Sequence, residues 1–350
     1  KPYIINPLTL DIDTIDIVGT GGDGLKTFNI STAVAFIVAS NGLYVAKHGN
    51  TAVSSKSGAS DVLKELGINI NIGKELLNKC LKDTNMCFLF APNYNKAFKN
   101  VAKVRKELTF RTIFNLLGPL LNPVRAKRQL LGVFSNQYLR ILAETLQAQN
   151  SIKSWVVNGS DGMDEITLTG NTQIAELSNN QIKEFEINPE KYNFKLCSPE
   201  SLQGGSPSYN AKKMLHLFEG EKGAYRDIVV LNAAAAFCVS DSVNTYEEGV
   251  ELAQTLIDEG LDADTLAVAT NNLSGSMKRI SIRGGVFRKI VNGEEVAVLE
   301  SPQMNVVIAK MSHTAARTFY AEAYKEGERI SPTCWSSDSK IPDHDVPNKQ

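Results

Sequence analysis

The sequence predicts an α/β fold built on a large, mostly parallel sheet flanked by helices, and two observations lead to this prediction. Short apolar, strand-like runs alternate with helix-like segments through the first 150 residues, as they do in βαβ units. A glycine-rich run also follows the first strand-like segment and precedes the first helix-like one. In such sheets, ligands bind at the edge where the parallel strands end.

Turn and capping residues divide this first part of the chain into predicted elements. The first strand is bounded by the glycines that follow it, and the next helix has Asn29 and Ser31 as capping residues. The predicted strands are 14–18, 43–46, 88–91, 130–134 and 154–157, and the predicted helices are 27–39, 57–66, 75–81, 97–107 and 138–148. The apolar segment 111–123 is interrupted by Pro and Gly, which favours a loop running over a site.

The sequence pattern that predicts helices and strands changes near residue 276. Before it, we expect a hairpin of strands 165–169 and 173–177, then helices over 212–218, 225–239 and 246–259. After it, the pattern predicts strands 281–291 and 296–299 around an Asn-Gly turn, a helix over 315–325 and a tail without a core. The predicted domains are therefore a catalytic region, 1–275, and an extra, partly disordered segment of unassigned role, 277–350.

Composition excludes several classes of function. The 350 residues are 43% hydrophobic, and 37 Lys+Arg balance 38 Asp+Glu, so no overall field attracts nucleic acid or anionic lipid. No apolar run approaches the roughly 20 residues that a membrane span requires. Five scattered cysteines suggest neither a zinc site nor a disulfide framework, so we expect a cytoplasmic protein. The first residues, Lys-Pro-Tyr, show no signal-peptide pattern and no initiator Met, so we expect the chain to start partway into a longer protein.

The glycine-rich run is the strongest local signal of an anion site. It reads Asp16-Ile17-Val18-Gly19-Thr20-Gly21-Gly22-Asp23-Gly24, and Thr27-Phe28-Asn29-Ile30-Ser31-Thr32 follows. Backbone N–H groups of such a loop can approach phosphate oxygens closely. The run matches neither a P-loop nor a dinucleotide fingerprint, because Asp23 would place a carboxylate against the pyrophosphate. A carboxylate suits this position if Mg²⁺ lies between it and the phosphates, although a lone glycine loop is structural about half the time.

Two further motifs point to the same edge of the sheet. Lys47-His48-Gly49-Asn50 ends the next strand, where Lys47 would supply a positive charge for phosphate, although a lone Lys is more often a surface residue. Asp164 and Glu165 are adjacent in a turn. Neighbouring carboxylates in a turn are usually only solvated, but beside a bound pyrophosphate they would complete Mg²⁺ coordination.

A series of runs in a fixed order resembles the anthranilate phosphoribosyltransferase family. They are GTGGDGLKTFNIST, AKHGN, VSSKSG, CFLFAPNY, VRKELTFRTIFNLLGPLLNP, GMDEITLTG and LNAAAAF, within residues 16–266. The resemblance implies that the amine of anthranilate displaces pyrophosphate from phosphoribosyl pyrophosphate with Mg²⁺, the second step of tryptophan biosynthesis from chorismate. It also implies a homodimer whose large α/β domain stands beside a small helical domain, of which this chain would retain a remnant, in a nucleoside phosphorylase-like fold.

The resemblance assigns site residues by motif. Phosphoribosyl pyrophosphate would contact Gly19, Gly21, Gly22, Asp23, Thr27, Asn29, Ser31, Thr32 and Lys47. Mg²⁺ would contact Ser31, Asp164 and Glu165. Anthranilate would contact Gly19, His48, Asn50, Arg105, Gly118 and Pro119. Arg105 would meet the aromatic carboxylate as a bidentate pair. No dedicated catalytic acid or base is expected, because metal ions and oriented N–H groups stabilise the charge of the leaving pyrophosphate.

Three departures from the family pattern and two alternative functions remain. Thr51 stands where the family often has Arg, Ala59-Ser60 changes a phosphate-contacting order, and Asn95 stands where a His is frequent. One alternative is a pyrimidine nucleoside phosphorylase-like enzyme, against which the acidic pair and the Phe-Asn-Leu-Leu-Gly-Pro run argue. The other is a non-catalytic nucleic-acid-binding relative, which would require a basic face.

Overall fold

The computed structural model describes residues 12–51, 56–95 and 111–258, together with five strands between residues 286 and 334. The chain divides into two compact units, Lys1–Leu261 and Asp262–Gln350. The boundary predicted near residue 276 falls outside the described residues.

The first unit contains a seven-stranded sheet in the order β3-β2-β1-β4-β5-β6-β7. The strands are β1 Ile15–Gly19, β2 Val45–Gly49, β3 Met86–Phe90, β4 Arg128–Gly132, β5 Lys153–Gly159, β6 Thr172–Ser178 and β7 Gln181–Ile187. Strands β1 to β5 pair in parallel, whereas β6 and β7 are added antiparallel. The predicted α/β fold with a mostly parallel sheet is therefore confirmed.

Helices flank this sheet, and two of them form its central packing layer. The helices are α1 Ile30–Ser40, α2 Ala59–Glu65, α3 Lys74–Thr84, α4 Ala91–Tyr94, α5 Phe114–Leu117, α6 Leu139–Ala148, α7 Pro207–Phe218, α8 Ala224–Val239 and α9 Tyr246–Asp258. Helices α1 and α8 pack against each other and are buried on nearly every face, as expected of helices that are apolar all round. Among the described helices, none is both long and apolar enough to cross a bilayer.

The order of the strands creates a crevice between β1 and β4. From β1 the chain continues to β2 and β3 on one side, whereas β4 and β5 lie on the other. Gly19 at the end of β1 is paired directly with Gly132 at the end of β4. Loops that leave neighbouring strands in opposite directions open a ligand crevice at such a point.

Two elements of the first unit differ from the sequence prediction. Residues 165–169, predicted as a strand, form an irregular loop, and the hairpin consists of β6 and β7 instead. Asn179 and Asn180 turn this hairpin with φ values of 50° and 57°, as a type I′ turn requires. Segment 111–123, predicted as a loop, contains α5 and a 3₁₀ turn, Gly118–Leu121. The predicted helix 97–107 lies outside the described residues.

The second unit contains two small antiparallel sheets. Strands Val286–Val291, Glu294–Ser301 and Met304–Ala309 form one, and Tyr320–Lys325 with Glu328–Cys334 form the other. The hairpin predicted around the Asn-Gly turn is present, since the first two strands pair. The helix predicted over 315–325 is wrong for residues 320–325, because pairing with the following strand overrides their local helix preference.

Candidate functional site

A cavity of about 500 Å³ lies at the carboxyl ends of β1 and β2. Nearly all described residues that the sequence assigned to a site line it: Gly19, Gly21, Gly22, Asp23, Thr27, Asn29, Ser31, Lys47, His48, Asn50, Gly118, Pro119, Asp164 and Glu165. Thr32 does not line it; this residue is 1% exposed, and its hydroxyl has no hydrogen-bond partner within the described residues. Arg105 lies outside the described residues.

The glycine loop holds its backbone in a conformation that other residues rarely adopt. Gly21, Gly22 and Gly24 have φ values of 66°, 78° and 84°. The Arg111 guanidinium donates to the Gly22 carbonyl and lies 4.2 Å from the centre of the Phe134 ring. The loop is therefore fixed from its outer side, while the cavity side carries no side chain at the glycine positions.

Asp164 occupies a space that two glycines leave open. A Cβ on Gly132 would lie 1.5 Å from the Asp164 carbonyl oxygen, and a Cβ on Gly19 would lie 2.3 Å from its Oδ2. The Gly21 N–H donates to the same Oδ2 over 2.6 Å. The paired glycines at the crevice therefore determine where this carboxylate lies.

A polar framework shapes the loop that carries Asp164 and Glu165. Asp161 Oδ2 accepts hydrogen bonds from the hydroxyls of Thr167 (2.8 Å) and Thr169 (2.6 Å). Asn232, fully buried in α8, donates from Nδ2 to the Ile166 carbonyl and accepts the Ile166 N–H, both over 2.8 Å. These bonds replace strand pairing at 165–169, which explains the error in the predicted hairpin. Sequence reasoning missed Asn232, whose signal is a single Asn in the apolar run LNAAAAF.

Lys47 is a buried cation directed into the cavity. Its side chain is 2% exposed, and Nζ donates to the Ile17 carbonyl (2.5 Å) and to Ser31 Oγ (3.1 Å). Burial lowers the pKa of Lys47, and the negative charges of Asp16, Glu165 and Asp164 oppose that shift. A buried ammonium of this kind gains strongly from a bound anion, because few water molecules solvate it.

Three carboxylates, those of Asp23, Asp164 and Glu165, line the same cavity as Lys47. Burial, together with the charge of Asp23, raises the pKa of Asp164 to about 7. Burial also raises the pKa of Glu165 well above its usual range, as it raises that of Asp23. The charge of Asp23 is among the causes that raise the pKa of Asp164, so the two carboxylates repel each other when both are ionised. Glu165 Oε1 accepts the Ser31 N–H at the start of α1 over 3.2 Å.

The carboxylate oxygens of this site fit a divalent cation that binds other ligands in the rest of its coordination shell. Oxygen donors from carboxylates suit Mg²⁺, which commonly takes one or two protein carboxylates and fills its octahedron with phosphate oxygens and water. Within the described ranges, no three His, Cys, Asp or Glu side chains form a complete metal site. Asp164 and Glu165 could supply one or two of the oxygen donors that Mg²⁺ takes from a protein.

The opposite wall of the cavity is less charged. His48 is 3% exposed, and its Nε2 lies 3.1 Å from Asn95 Nδ2. Burial lowers the pKa of His48 to about 4, although its hydrogen bond to the Gly118 backbone favours the protonated ring. Since Asn95 occupies Nε2, we assign the proton of the neutral ring to Nδ1, which faces Gly118. Both nitrogens are thus engaged within the wall.

We expect His48 to make stability depend on pH. Above pH 6.5 the ring is neutral in both states, whereas between pH 6.5 and 4 only the unfolded chain gains the proton, so stability falls as the pH falls. At pH 5 the loss is about 2 kcal/mol. Urea denaturation of wild type and His48→Asn at pH 7 and pH 5 should therefore show their difference shrinking by about this amount at the lower pH.

His216 provides the matched control for this prediction. Its side chain is 36% exposed, and it pairs with Glu221 away from the cavity. A difference that does not change with pH in His48→Asn, or one that changes equally in His216→Asn, would contradict the assignment to the buried ring.

Asn29 anchors a second polar cluster that the sequence did not predict. Its Oδ1 accepts from Ser57 Oγ (3.2 Å) and from Asn210 Nδ2 (2.9 Å), and its Nδ2 donates to the Ser57 carbonyl (3.1 Å). Because its amide is committed to these partners, Asn29 fixes the entrance to α1 and joins it to α7.

Comparison with known proteins shows a family model and relatives to which this chain is similar. Residues 11–263 match the family model described as "Glycosyl transferase family, a/b domain". The anthranilate phosphoribosyltransferase of Phenylobacterium zucineum is 53% identical over 247 residues, 71% of this chain and 73% of the relative. That of Caulobacter vibrioides is 50% identical over 268 residues, 76% of this chain and 78% of the relative.

Solved structures give the same result. The chain is similar to anthranilate phosphoribosyltransferase from Thermus thermophilus, with a TM-score of 0.68 and 39% identity over 72% of this chain and 76% of that one. It is also similar to the enzyme from Saccharomyces cerevisiae in complex with phosphoribosyl pyrophosphate and Mg, with a TM-score of 0.66 and 30% identity over 73% of each chain.

Proposed function

This chain belongs to the anthranilate phosphoribosyltransferase family, and from this premise we propose how its cavity performs the family's reaction. The reaction transfers the 5-phosphoribosyl group of phosphoribosyl pyrophosphate to the amine of anthranilate and releases pyrophosphate, a step of tryptophan biosynthesis. The observation that carries the proposal is the convergence of buried Lys47, the glycine loop and the Asp164–Glu165 pair on one cavity.

We assign the anionic substrate to the side of the cavity formed by β1, α1 and β2. Backbone N–H groups at the start of α1 and along the glycine loop provide donors for phosphate oxygens. Lys47 adds the positive charge, and Ser31 lies within hydrogen-bond distance of it. Gly19, Gly21, Gly22, Asp23, Thr27 and Asn29 complete the proposed phosphoribosyl pyrophosphate site, and Thr32 supports it from behind the wall.

Asp164 and Glu165, with Ser31, are the residues that would hold Mg²⁺. When bound, the ion would neutralise negative charge on the departing pyrophosphate. Ionised Asp164, Glu165 and Asp23 would repel a pyrophosphate in the absence of a cation, because all three line the same cavity. The Saccharomyces cerevisiae relative binds Mg in its solved structure, which supports the same use here.

We assign anthranilate to the wall formed by His48, Asn50, Gly118 and Pro119, beside Gly19. In the transfer, the amine nitrogen forms a bond to the anomeric carbon, and the bond from that carbon to the pyrophosphate oxygen breaks. The nitrogen then loses a proton to the released pyrophosphate or to water. The neutral, fully engaged His48 acts here as a wall rather than as a base, since its pKa is about 4. Orientation of the amine contributes to the rate gain, since well-oriented pairs gain on the order of 7–11 kcal/mol in model reactions.

The proposal is tested by following anthranilate fluorescence after addition of phosphoribosyl pyrophosphate and Mg²⁺. Asp164→Asn keeps the acceptor for Gly21 but removes the charge, so we expect at least about a 100-fold loss of kcat/KM. Glu144→Gln, whose carboxylate is 51% exposed on α6 beside Arg140, is the matched control and should retain full activity. A wild-type protein that is folded but consumes no anthranilate would refute the proposal.

The alternative functions considered from the sequence are not favoured, because the related proteins carry the transferase name. We further propose that the protein acts as a homodimer and that catalysis belongs to residues 1–275, with 277–350 as an extra segment to which no role is assigned.

A further inference from the structure

Asp16 is a buried carboxylate that the reaction does not use directly. It lies in β1, beneath the cavity, and is 0% exposed. It does not line the cavity. A buried carboxylate is costly unless its oxygens are paired, so its partners indicate its role.

Each of its hydrogen bonds leads towards the wall assigned to the acceptor. Asp16 Oδ1 accepts the backbone N–H of His48 over 3.0 Å, which fixes the end of β2. Oδ2 accepts from Asn122 Nδ2 over 2.8 Å, and Gln129 Nε2 lies 3.5 Å away. Gln129 Nε2 also donates to the Pro119 carbonyl over 2.9 Å.

Asn122 gives this connection a second anchor. The same Nδ2 donates to the Ala46 carbonyl in β2 over 2.9 Å, while its Oδ1 accepts the Val124 N–H over 3.0 Å. The segment that contains Gly118 and Pro119 is therefore joined to the strand that carries His48 through one buried carboxylate.

A core that required only stability would not need this charge. Burial raises the pKa of Asp16 to about 6, against the opposing effects of its hydrogen bonds and of Lys47. Apolar residues of similar volume commonly replace buried ionic groups without loss of stability. The buried carboxylate of Asp16 therefore costs stability, and a role in positioning the wall would explain why it is present.

We propose that Asp16 is a positioning residue that holds the acceptor wall, namely His48 and Pro119, in register through Asn122 and Gln129. The proposal rests on the assignment of this wall to anthranilate. Asp16 touches neither substrate, and its effect is expected on the affinity for the aromatic acceptor rather than on chemistry at the anomeric carbon.

Asp16→Asn tests this with little change of shape. Its amide can accept from His48 only by directing its own N–H groups at those of Asn122 and Gln129, so one contact must break. We expect KM for anthranilate to rise about ten-fold, as for loss of one buried charge-assisted hydrogen bond. KM for phosphoribosyl pyrophosphate should rise less, because Lys47 loses the charge of Asp16 but keeps those of Glu165 and Asp164.

The reciprocal variant Asp16→Asn/Asn122→Asp supplies the rescue. The new amide at position 16 can then donate to the new carboxylate at position 122 while still accepting from His48. Because a carboxylate at position 122 cannot donate to the Ala46 carbonyl, we expect KM for anthranilate to return only part of the way. Asn122→Asp alone places two carboxylates next to each other. We therefore expect a higher KM for anthranilate in this variant than in either Asp16→Asn or the double variant.

A second measurement separates this proposal from the proposed function. Hydrogen exchange of a peptide covering 113–124 should be faster in Asp16→Asn than in wild type and should be restored in the double variant, whatever the activity. An inactive wild type would refute the function alone. Unchanged exchange, a fall in kcat with unchanged KM for anthranilate, or no rescue in the double variant would overturn the role of Asp16.

Discussion

Gly132→Ala is expected to lower kcat/KM by at least about 100-fold, because a displacement of about 1 Å at a reacting centre can cost that much. The new Cβ would lie 1.5 Å from the Asp164 carbonyl oxygen, so backbone has to move and no rotamer change relieves the contact. The displaced segment carries the proposed Mg²⁺ carboxylates. Steady-state kinetics, with the Mg²⁺ concentration varied, should show a loss that added Mg²⁺ does not restore.

Gly73→Ala is the matched control for this substitution. A Cβ on Gly73 has no neighbour within 4 Å, and its φ of −71° suits alanine. Full activity in Gly132→Ala would show that the carboxylates do not depend on the space between β1 and β4. A loss shared equally by Gly73→Ala would indicate a general effect of substitution.

Asn232→Ala is expected to lower the free energy of unfolding by about 3 kcal/mol, because it leaves the buried N–H and carbonyl of Ile166 without partners. The neighbouring Glu165 should also lose its fixed position, so activity should fall even in the fraction that remains folded. Denaturant titration measures the first effect, and kinetics per folded molecule measure the second.

Asn136→Ala removes an exposed side-chain hydrogen bond to Gln173 and provides the comparison. It should change the free energy of unfolding by less than about 0.5 kcal/mol. Equal stabilities for Asn232→Ala and wild type would contradict the view that this side chain replaces strand pairing.

The sequence predicted those parts of the fold that depend on local pattern. Apolar runs and capping residues mark the strands near residues 15, 45 and 88 and the helices after the glycine loop. The local sequence was therefore sufficient to predict these elements. Lys47 was identified because it follows a predicted strand, and Asp164 and Glu165 because they are adjacent in a turn and match a family motif. The structure brings all three to one cavity.

The remainder depended on contacts between distant residues. The loop after Glu165 alternates like a strand, but Asp161 and Asn232 supply its hydrogen bonds, and these partners are invisible in a local window. Strand β7 was missed because most of its side chains face solvent and lack an apolar pattern. Asp16 lies within an apolar run where its carboxylate suggests no particular partner, since Asn122 is 106 residues away in sequence.

The pair of glycines between β1 and β4 also limits how this protein can diverge. Most positions accept a succession of slightly larger side chains, so a lineage can explore them in small steps. No such small step exists at Gly132, because even the Cβ of an alanine would overlap the Asp164 backbone. A larger residue at Gly132 requires the Asp164 backbone to move, whereas substitutions in the surrounding loops do not, so the loops are the easier place for change at this site.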